Sequence, residues 1–273
     1  MAPGLLFDKN MIFGANWTSP KHLPIIRALL SQGRIDFCEI MIDNFLHLSP
    51  ESLKSAFPET PLSFHIMNSH FIRRDAGELK AFATKIKTLI RELRPAYVSD
   101  HLADFSHDGR RYPFPQEISY HRDNRLVLDR VKLWQDMVGT RLLFENYPSI
   151  LDGGRAQPEF LETLVQETGA GLLLDFSNAV VAERNCGLPL AAWTPLIRRA
   201  ERFHAAGYRA ADTVPPIIQD SHDCELSADT LDFLRRSKPL LDGRDCSLVI
   251  ERDAEIAVES WSRDIAGART ALA

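Results

Sequence analysis

The sequence contains few cysteines, and no motif pairs them. The chain of 273 residues has only four, namely Cys38, Cys186, Cys224 and Cys246. None is separated from another by the short spacing typical of zinc knuckles or thioredoxin-like sites. We therefore predict free thiols, and we exclude a fold that depends on disulfides.

Long apolar runs, excess positive charge and nucleotide-binding motifs are also missing. No stretch approaches the roughly 18 apolar residues of a membrane span. The start, MAPGLLFDKN, lacks the basic and apolar regions of a signal peptide, so a cytoplasmic location is expected. The net charge of −5 argues against broad neutralisation of nucleic-acid phosphates. No GxSxG, P-loop or dinucleotide glycine fingerprint is present.

The chain has the composition of a folded protein and a pattern of alternating strands and helices. Apolar residues make up 45% and charged residues 25%. The length falls in the range in which α/β barrels form a single domain, so we predict one domain over residues 1–273. Eight short apolar or β-branched runs predict strands beginning near Ile12, Asp36, Leu62, Ala96, Arg141, Gly171, Arg202 and Cys246.

Helical signals separate these runs. Asp75, followed by Glu78, predicts the start of a helix with a capping box. Further helices are predicted over 120–138, from Pro158 onward and after the pair Ser19 and Pro20. Near-continuous apolar strands suit a parallel sheet covered by helices. We predict a (β/α)8 TIM barrel; a doubly wound open sheet is the competing architecture.

Two connections are longer than a minimal barrel needs, at residues 103–119 and 208–227. Long loops at the carboxyl-terminal face of a barrel commonly bind substrate, so we expect both to lie over the active face.

Residues that commonly bind metals follow strand after strand where the apolar pattern ends. Since the carboxyl ends of barrel strands converge on one pocket, these residues form one candidate metal site. The candidates are His65, His101, Glu145, Asp175, Asn178, His204, Asp220, His222 and Glu251.

The types of ligand indicate several transition-metal ions. Two imidazoles and a carboxylate, as in His65, His101 and Glu145, suit such metals better than magnesium or calcium. Nine ligands are too many for one ion, and Glu145 or Glu251 offers two oxygens that could bridge two ions. We infer two or three ions. Taken singly, each residue also has a structural reading, such as the cap of the following helix.

With these residues in place, the motifs resemble those of the multinuclear non-haem iron-dependent oxidative enzyme family, in its methanobactin-forming branch. The resemblance covers essentially the entire chain. The motifs that carry it are EIMIDNFLHLSPE, HIMNSHFIRRD, YVSDHLADFSHDGR, LLFENYPSILDG, LLLDFSNA, FHAAGY, DSHD and IERD.

The resemblance implies a barrel that holds two or three irons on the nine candidate ligands. It also implies an O2-dependent oxidation that converts cysteines of a ribosomally made precursor peptide into an oxazolone and an adjacent thioamide. An MbnC-like partner subunit would help to bind the peptide. Such chemistry needs a base, for which Asp253 is the candidate, although a cap or salt bridge is its alternative role. Asp100 could orient the imidazole of His101.

A related multi-iron oxidase that acts on another peptide is one alternative, because other members of the family modify different peptides through similar iron sites. Three functions of other kinds also compete with this interpretation. A sugar isomerase and an abasic-site endonuclease use similar barrel sites, but the acidic balance disfavours the endonuclease. The isomerase is disfavoured because four of the candidate ligands are histidines and no lysine stands at a strand end. A scaffold that carries metal only to hold a partner is the third alternative.

Overall fold

The structure is a computed structural model that describes residues 11–273, apart from the side chains at positions 107 and 113. Segment 1–10, in which the sequence predicts no signal peptide, lies outside the described residues. In chain order the strands are β1 (Met11–Trp17), β2 (Phe37–Met41), β3 (Leu62–Ile66), β4 (Val98–His101), β5 (Asp104–His107), β6 (Arg110–Gln116), β7 (Leu143–Glu145), β8 (Gly171–Asp175), β9 (Arg202–Ala206), β10 (Tyr208–Ala210), β11 (Ile218–Asp220) and β12 (Cys246–Glu251).

Helices follow most of the strands. They are α1 (Leu23–Ser31), α2 (Pro50–Ala56), α3 (Ala76–Leu93), α4 (Asn124–Val138), α5 (Gln157–Thr168), α6 (Phe176–Cys186), α7 (Thr194–Arg199), α8 (Ala228–Leu241) and α9 (Val258–Leu272). Short 3-10 helices lie at Pro20–His22, Ile42–Phe45, Asp152–Ala156 and Leu190–Trp193. Within residues 11–273, none of the helices combines the length and apolar character that a membrane span requires.

Eight of the strands close into a parallel barrel in the order β1-β12-β9-β8-β7-β4-β3-β2. Strand β1 pairs with β2 on one side and with β12 on the other, which closes the ring. The predicted (β/α)8 TIM barrel is therefore confirmed, and the open-sheet alternative is wrong. All eight predicted strands are present, beginning within two residues of the predicted positions.

The helix signals were accurate except at one boundary. The Asp75 carboxylate accepts hydrogen bonds from the backbone N–H groups of Gly77 and Glu78, at 2.8 and 3.2 Å, and so caps α3. The helix predicted over 120–138 begins only at Asn124. The Asp123 carboxylate instead accepts a bond from the backbone N–H of Ser119, which forms a turn before the helix.

Both long connections contain antiparallel hairpins that the sequence pattern did not reveal. Strands β5 and β6 form one, and β10 and β11 form the other. Phe114 and Pro115 of the first hairpin, and Ile218 of the second, line a cavity at the carboxyl end of the barrel. The predicted position of these connections over that face is confirmed.

A buried ion pair joins the last strand to the last helix. Arg252, next to the end of β12, is 2% exposed and donates to Asp264 of α9 from Nε at 2.9 Å and from Nη2 at 2.6 Å. The other Asp264 oxygen accepts a bond from the backbone N–H of Leu226. The pair therefore fixes the backbone beside Glu251.

We expect Asp264→Ala to lower the free energy of unfolding by about 3 kcal/mol or more, because it leaves a buried guanidinium without its partner. Urea unfolding followed by circular dichroism measures this. The matched control is Asp232→Ala, which removes an exposed carboxylate from the pairs with Arg235 and Arg236 and should cost less than about 1 kcal/mol. Equal losses in the two variants would contradict the role assigned to the buried pair.

Candidate metal centre

Strand register brings the first three candidates together at the carboxyl end of the barrel. His101 is the register partner of Glu145 across β4 and β7, and His65 lies on the neighbouring β3. The Nε2 atoms of His65 and His101 are 3.4 Å apart, and each lies 3.4 Å from Oε2 of Glu145. The three ligand atoms thus form an equilateral triangle.

Hydrogen bonds fix the tautomers of both histidines. Nδ1 of His101 lies 3.0 Å from the Ile66 carbonyl, which can only accept, so Nδ1 carries the proton. Nδ1 of His65 lies 2.8 Å from the Ser99 hydroxyl, which itself donates to the Phe64 carbonyl and so accepts from the ring. Both Nε2 atoms therefore present lone pairs.

This triangle has the spacing expected for ligands of a single ion. It consists of three acceptors that face one another without a proton between them. Ligands about 2.1 Å from an ion lie about 3.0 Å apart in an octahedral arrangement and about 3.4 Å apart in a tetrahedral one. Burial and the nearby His101 lower the pKa of His65 to about 3, which keeps this imidazole neutral and able to bind a metal.

A second set shares Glu145 with the first. Nδ1 of His204 lies 3.1 Å from Oε2 of Glu251 and 3.5 Å from Oε1 of Glu145. Asp175, the register partner of His204, completes a group whose ligand atoms all lie within 4.8 Å of one another. Glu145 therefore directs one oxygen to each set, as a bridging carboxylate would.

Asp175 and Asn178 each combine a structural contact with a free oxygen. Oδ1 of Asp175 caps α6 by accepting from the backbone N–H of Asn178 at 2.7 Å, while Oδ2 is buried without a hydrogen-bond partner. The Asn178 amide nitrogen donates to the Asn146 carbonyl at 2.9 Å, which leaves the buried Oδ1 of Asn178 without a partner. A structural contact and metal binding are thus compatible at both residues.

A third set lies at the mouth of the barrel. Oδ1 of Asp220 is 2.8 Å from Nε2 of His222, and Nδ1 of His222 is 3.2 Å from Oδ2 of Asp253 and 4.0 Å from Oε2 of Glu251. Asp220 and His222 are two residues apart, and a local turn brings their side chains together. The segment is not extended at His222, whose φ is 51°.

Backbone contacts hold this mouth segment against the barrel. The N–H of His222 donates to the Gly207 carbonyl, and its carbonyl accepts from the N–H of Asp253, each at 2.9 Å. A Cβ at Gly207 would lie 2.0 Å from the Cys224 carbonyl oxygen, so only glycine permits this approach. The local fold therefore places two candidate ligands that no barrel strand carries.

The centre is strongly acidic and almost completely buried. Glu145, Asp175 and Glu251 are 4%, 0% and 3% exposed. Burial, together with the charges of Glu145, Asp220 and Glu251, raises the pKa of Asp175 well above its usual value. Burial lowers the pKa of His204, but the charges of Glu251 and Glu39 outweigh it and raise that pKa well above the usual range. Cations at the centre would relieve this repulsion.

The sequence reading missed Glu39 and misjudged Asp100. Glu39 is fully buried in the middle of β2, and its Oε1 lies 2.8 Å from Nε2 of His204. A single carboxylate inside the apolar run Phe37–Met41 was the available signal, because a buried charge needs a partner. Asp100 does not orient the His101 imidazole; it accepts from the backbone N–H of His101 and from the Trp134 indole, both at 2.8 Å.

These clusters open onto a cavity of about 460 Å³. Its lining includes His101, Glu145, Asn178, His222 and Asp253. The volume falls in the range of pockets that bind small molecules or short segments of a ligand.

Fold and site together define a TIM-barrel protein with adjoining histidine and carboxylate clusters that could hold metal ions. The model of the RiPP precursor modification enzyme family MbnB/TglH/ChrH matches residues 14–272. The chain belongs to this family of enzymes, which modify ribosomally synthesised peptide precursors. The predicted family resemblance is confirmed, and a precursor peptide is the class of substrate that the family implies.

Individual proteins are similar to this chain in sequence or in fold. A UPF0276 protein of Paraburkholderia phytofirmans is 29% identical over 226 residues, which cover 77% of this chain and 72% of the relative. Among solved structures, the 3-keto-D-glucoside 4-epimerase YcjR of E. coli matches with a TM-score of 0.60 and 15% identity over 95% of this chain and 99% of its own. A xylose isomerase-like TIM barrel protein of Mycobacterium smegmatis matches with a TM-score of 0.62 and 13% identity over 96% and 98%. At such identities the likeness shows the fold alone.

The raised pKa of Asp175 predicts how the stability of the metal-free protein depends on pH. The folded state binds this proton more tightly than the unfolded chain, whose usual pKa is 3.8, so stability falls as the pH rises above about 4. Asp175→Asn keeps the helix cap and removes the charge. We expect the metal-free variant to exceed the wild type in unfolding free energy at pH 7, with a smaller difference at pH 4.

Urea unfolding in the presence of a chelator measures the difference at both pH values. The control is Asp152→Asn, since Asp152 is exposed, and its change should be nearly independent of pH. A variant at position 175 that is less stable than the wild type at pH 7 would refute this account.

Proposed function

We propose that the protein is an iron- and O2-dependent oxidase that modifies cysteine residues of a ribosomally made precursor peptide. The observation that carries the proposal is the pair of ligand sets joined by Glu145. Mixed imidazole and carboxylate ligands suit iron, and a shared carboxylate suits adjacent ions. Membership of a peptide-modifying family supports a peptide as the substrate.

We propose His65, His101, Glu145, Asp175, Asn178, His204, Asp220, His222 and Glu251 as the ligands. Two irons would occupy the sets joined by Glu145, and a third would lie between Asp220 and His222. The buried free oxygens of Asp175 and Asn178 support their inclusion.

The finer proposal is that the product carries an oxazolone and a thioamide, as in methanobactin, and that an MbnC-like subunit takes part. The motif resemblance along the chain supports this chemistry. Exposed apolar side chains that line the cavity suit contact with a peptide or partner: Phe114 is 64% exposed and Ile150 41%.

The residues of this chain would bind, orient and shield the reacting groups. Bound iron would supply open coordination positions for a cysteine thiolate and O2, together with the redox capacity of the reaction. Glu145 and Glu251 are buried, so bulk water has little access to these carboxylates. The cysteine would enter through the cavity, which His101 lines. Four electrons removed from the peptide would reduce one O2 to two water molecules.

Asp253 is the proposed base at the cavity wall. Burial raises its pKa, but the hydrogen bond and charge of His222 outweigh this and lower it, so Asp253 is an anion at neutral pH. The Asn16 amide donates to its other oxygen at 3.2 Å. The carboxylate is therefore held in place and available to accept a proton from a substrate in the cavity.

A sugar isomerase or hydrolase on the same barrel remains the second candidate. The structural likeness to sugar epimerases supports it only at the level of the fold. Among the described residues, no lysine lines the cavity. The sequence disfavours an isomerase for the same reason, since no lysine stands at a strand end.

We expect His65→Ala and Glu145→Ala to lower the iron content and to reduce peptide oxidation by at least about 100-fold, because each removes a member of the ligand triangle. Elemental analysis of protein purified without oxygen measures the iron. Mass spectrometry of a cysteine-containing precursor, with and without O2, measures its oxidation. His121→Ala, at an exposed histidine, is the matched control.

The wild type should bind two to three irons and lose its activity when O2 is removed. Turnover without O2, or unchanged iron and activity in both ligand variants, would sink the proposal. Stoichiometric zinc or manganese with little iron would favour hydrolysis or isomerisation.

Asp253→Asn separates a base from a residue that only orients His222. The asparagine oxygen can still accept a hydrogen bond from the His222 ring, but the amide cannot take a proton. We expect iron content to be retained and turnover to fall by about 100-fold or more. Metal analysis and single-turnover kinetics measure both quantities. Loss of iron would instead assign Asp253 to positioning, and full activity would exclude either role.

A further inference from the structure

Glu39 occupies the barrel interior beneath the proposed metal centre, and its two oxygens face different neighbours. Its Oε2 accepts hydrogen bonds from the Tyr97 hydroxyl at 2.7 Å and from the Ser63 hydroxyl at 3.3 Å. Its Oε1 lies 2.8 Å from Nε2 of His204. Glu39 and His204 are both 0% exposed, so water screens this contact little.

The two nitrogens of the His204 ring face different kinds of surroundings. Nδ1 faces Glu251 and Glu145 of the second ligand set, at 3.1 and 3.5 Å. Nε2 faces Glu39 alone among these carboxylates. A proton on Nε2 would leave the Nδ1 lone pair directed toward the ion proposed for that set.

The partners of the second Glu39 oxygen favour a supporting role over shared coordination. Glu39, His65 and His204 lie close enough to hold an ion of their own. However, Glu39 turns only Oε1 toward His204, at 2.8 Å from Nε2. Tyr97 and Ser63 also engage the second oxygen of Glu39, which a chelating carboxylate would need.

We propose that Glu39 is a positioning residue that sets the tautomer and orientation of His204, and that Tyr97 holds Glu39 from the opposite end of the barrel. Tyr97 immediately precedes β4, and its ring packs edge-on against Phe37 of β2 at 6.5 Å. A chain of polar contacts thus runs from Tyr97, at the amino-terminal end of the barrel, through Glu39 to His204. The inference rests on the proposed function, since it requires a metal at His204.

A metal-binding experiment tests this role without relying on turnover. Metal-free protein is titrated anaerobically with Fe(II), and in parallel with Co(II), whose visible absorption reports the ligands around the ion. Glu39→Leu has a similar size and removes the acceptor. We expect it to weaken binding at the His204 site by 10- to 100-fold, roughly the loss seen when such supporting partners are removed. The Co(II) spectrum should also change.

Two further variants should change the metal affinity by smaller amounts. Glu39→Gln keeps an oxygen that can accept from Nε2, so it should restore much of the affinity and of the Co(II) spectrum. Tyr97→Phe removes one hydrogen bond to Glu39 and should weaken binding by a few-fold. The matched control is Tyr208→Phe, which removes a hydroxyl that contacts Asp229, outside the ligand sets. Its affinity should equal that of the wild type.

The outcomes separate this inference from the proposed function. If the wild type binds Fe(II) and Glu39→Leu matches it in affinity and spectrum, the role of Glu39 is overturned while the oxidase proposal stands. A wild type that binds no Fe(II) overturns both. If Glu39→Leu does not fold, Tyr97→Phe decides: weakened binding supports the inference, and wild-type affinity overturns it.

Discussion

Repulsion among carboxylates at the carboxyl end of the barrel is the constraint on which the site depends. Glu39, Glu145, Asp175 and Glu251 are each less than 5% exposed. Burying one charge is costly, and burying several together is more so unless opposite charge or protons compensate. Within residues 11–273, the ion pairs of Glu39, Glu145 and Glu251 are with histidines. The cluster could therefore hold metal cations.

The four histidines at the centre have the same arrangement of contacts on their two ring nitrogens. Each directs one ring nitrogen toward a carboxylate of the site and the other toward a fixed partner. These partners are Ser99 for His65, the Ile66 carbonyl for His101, Glu39 for His204 and Asp253 for His222. Such partners set the tautomer and orientation of an imidazole before a metal binds. The barrel therefore supplies both the ligands and their support.

Strand ends could be predicted from sequence because the apolar pattern stops there and a barrel brings all such ends together. This reasoning placed His65, His101 and Glu145 side by side. It could not find Glu39, which lies within a strand, or Ser99, whose role depends on a ring in the neighbouring strand. The two hairpins were missed because long-range pairing leaves little local signal in short strands. The family motifs predicted a reaction, whereas periodicity alone predicted only the fold and the position of the site.

Asp220 and His222 differ from the other proposed ligands in their origin. Asp220 ends a hairpin strand and His222 follows it, and backbone contacts with Gly207 and Asp253 attach this segment to the barrel rim. The eight-stranded framework is complete without them. Any ion that they hold can therefore be gained, lost or retuned during evolution by exchanging one surface segment. The number of ions that the site could hold would then depend on a replaceable loop, whereas the candidate ligand sets joined by Glu145 belong to the fold.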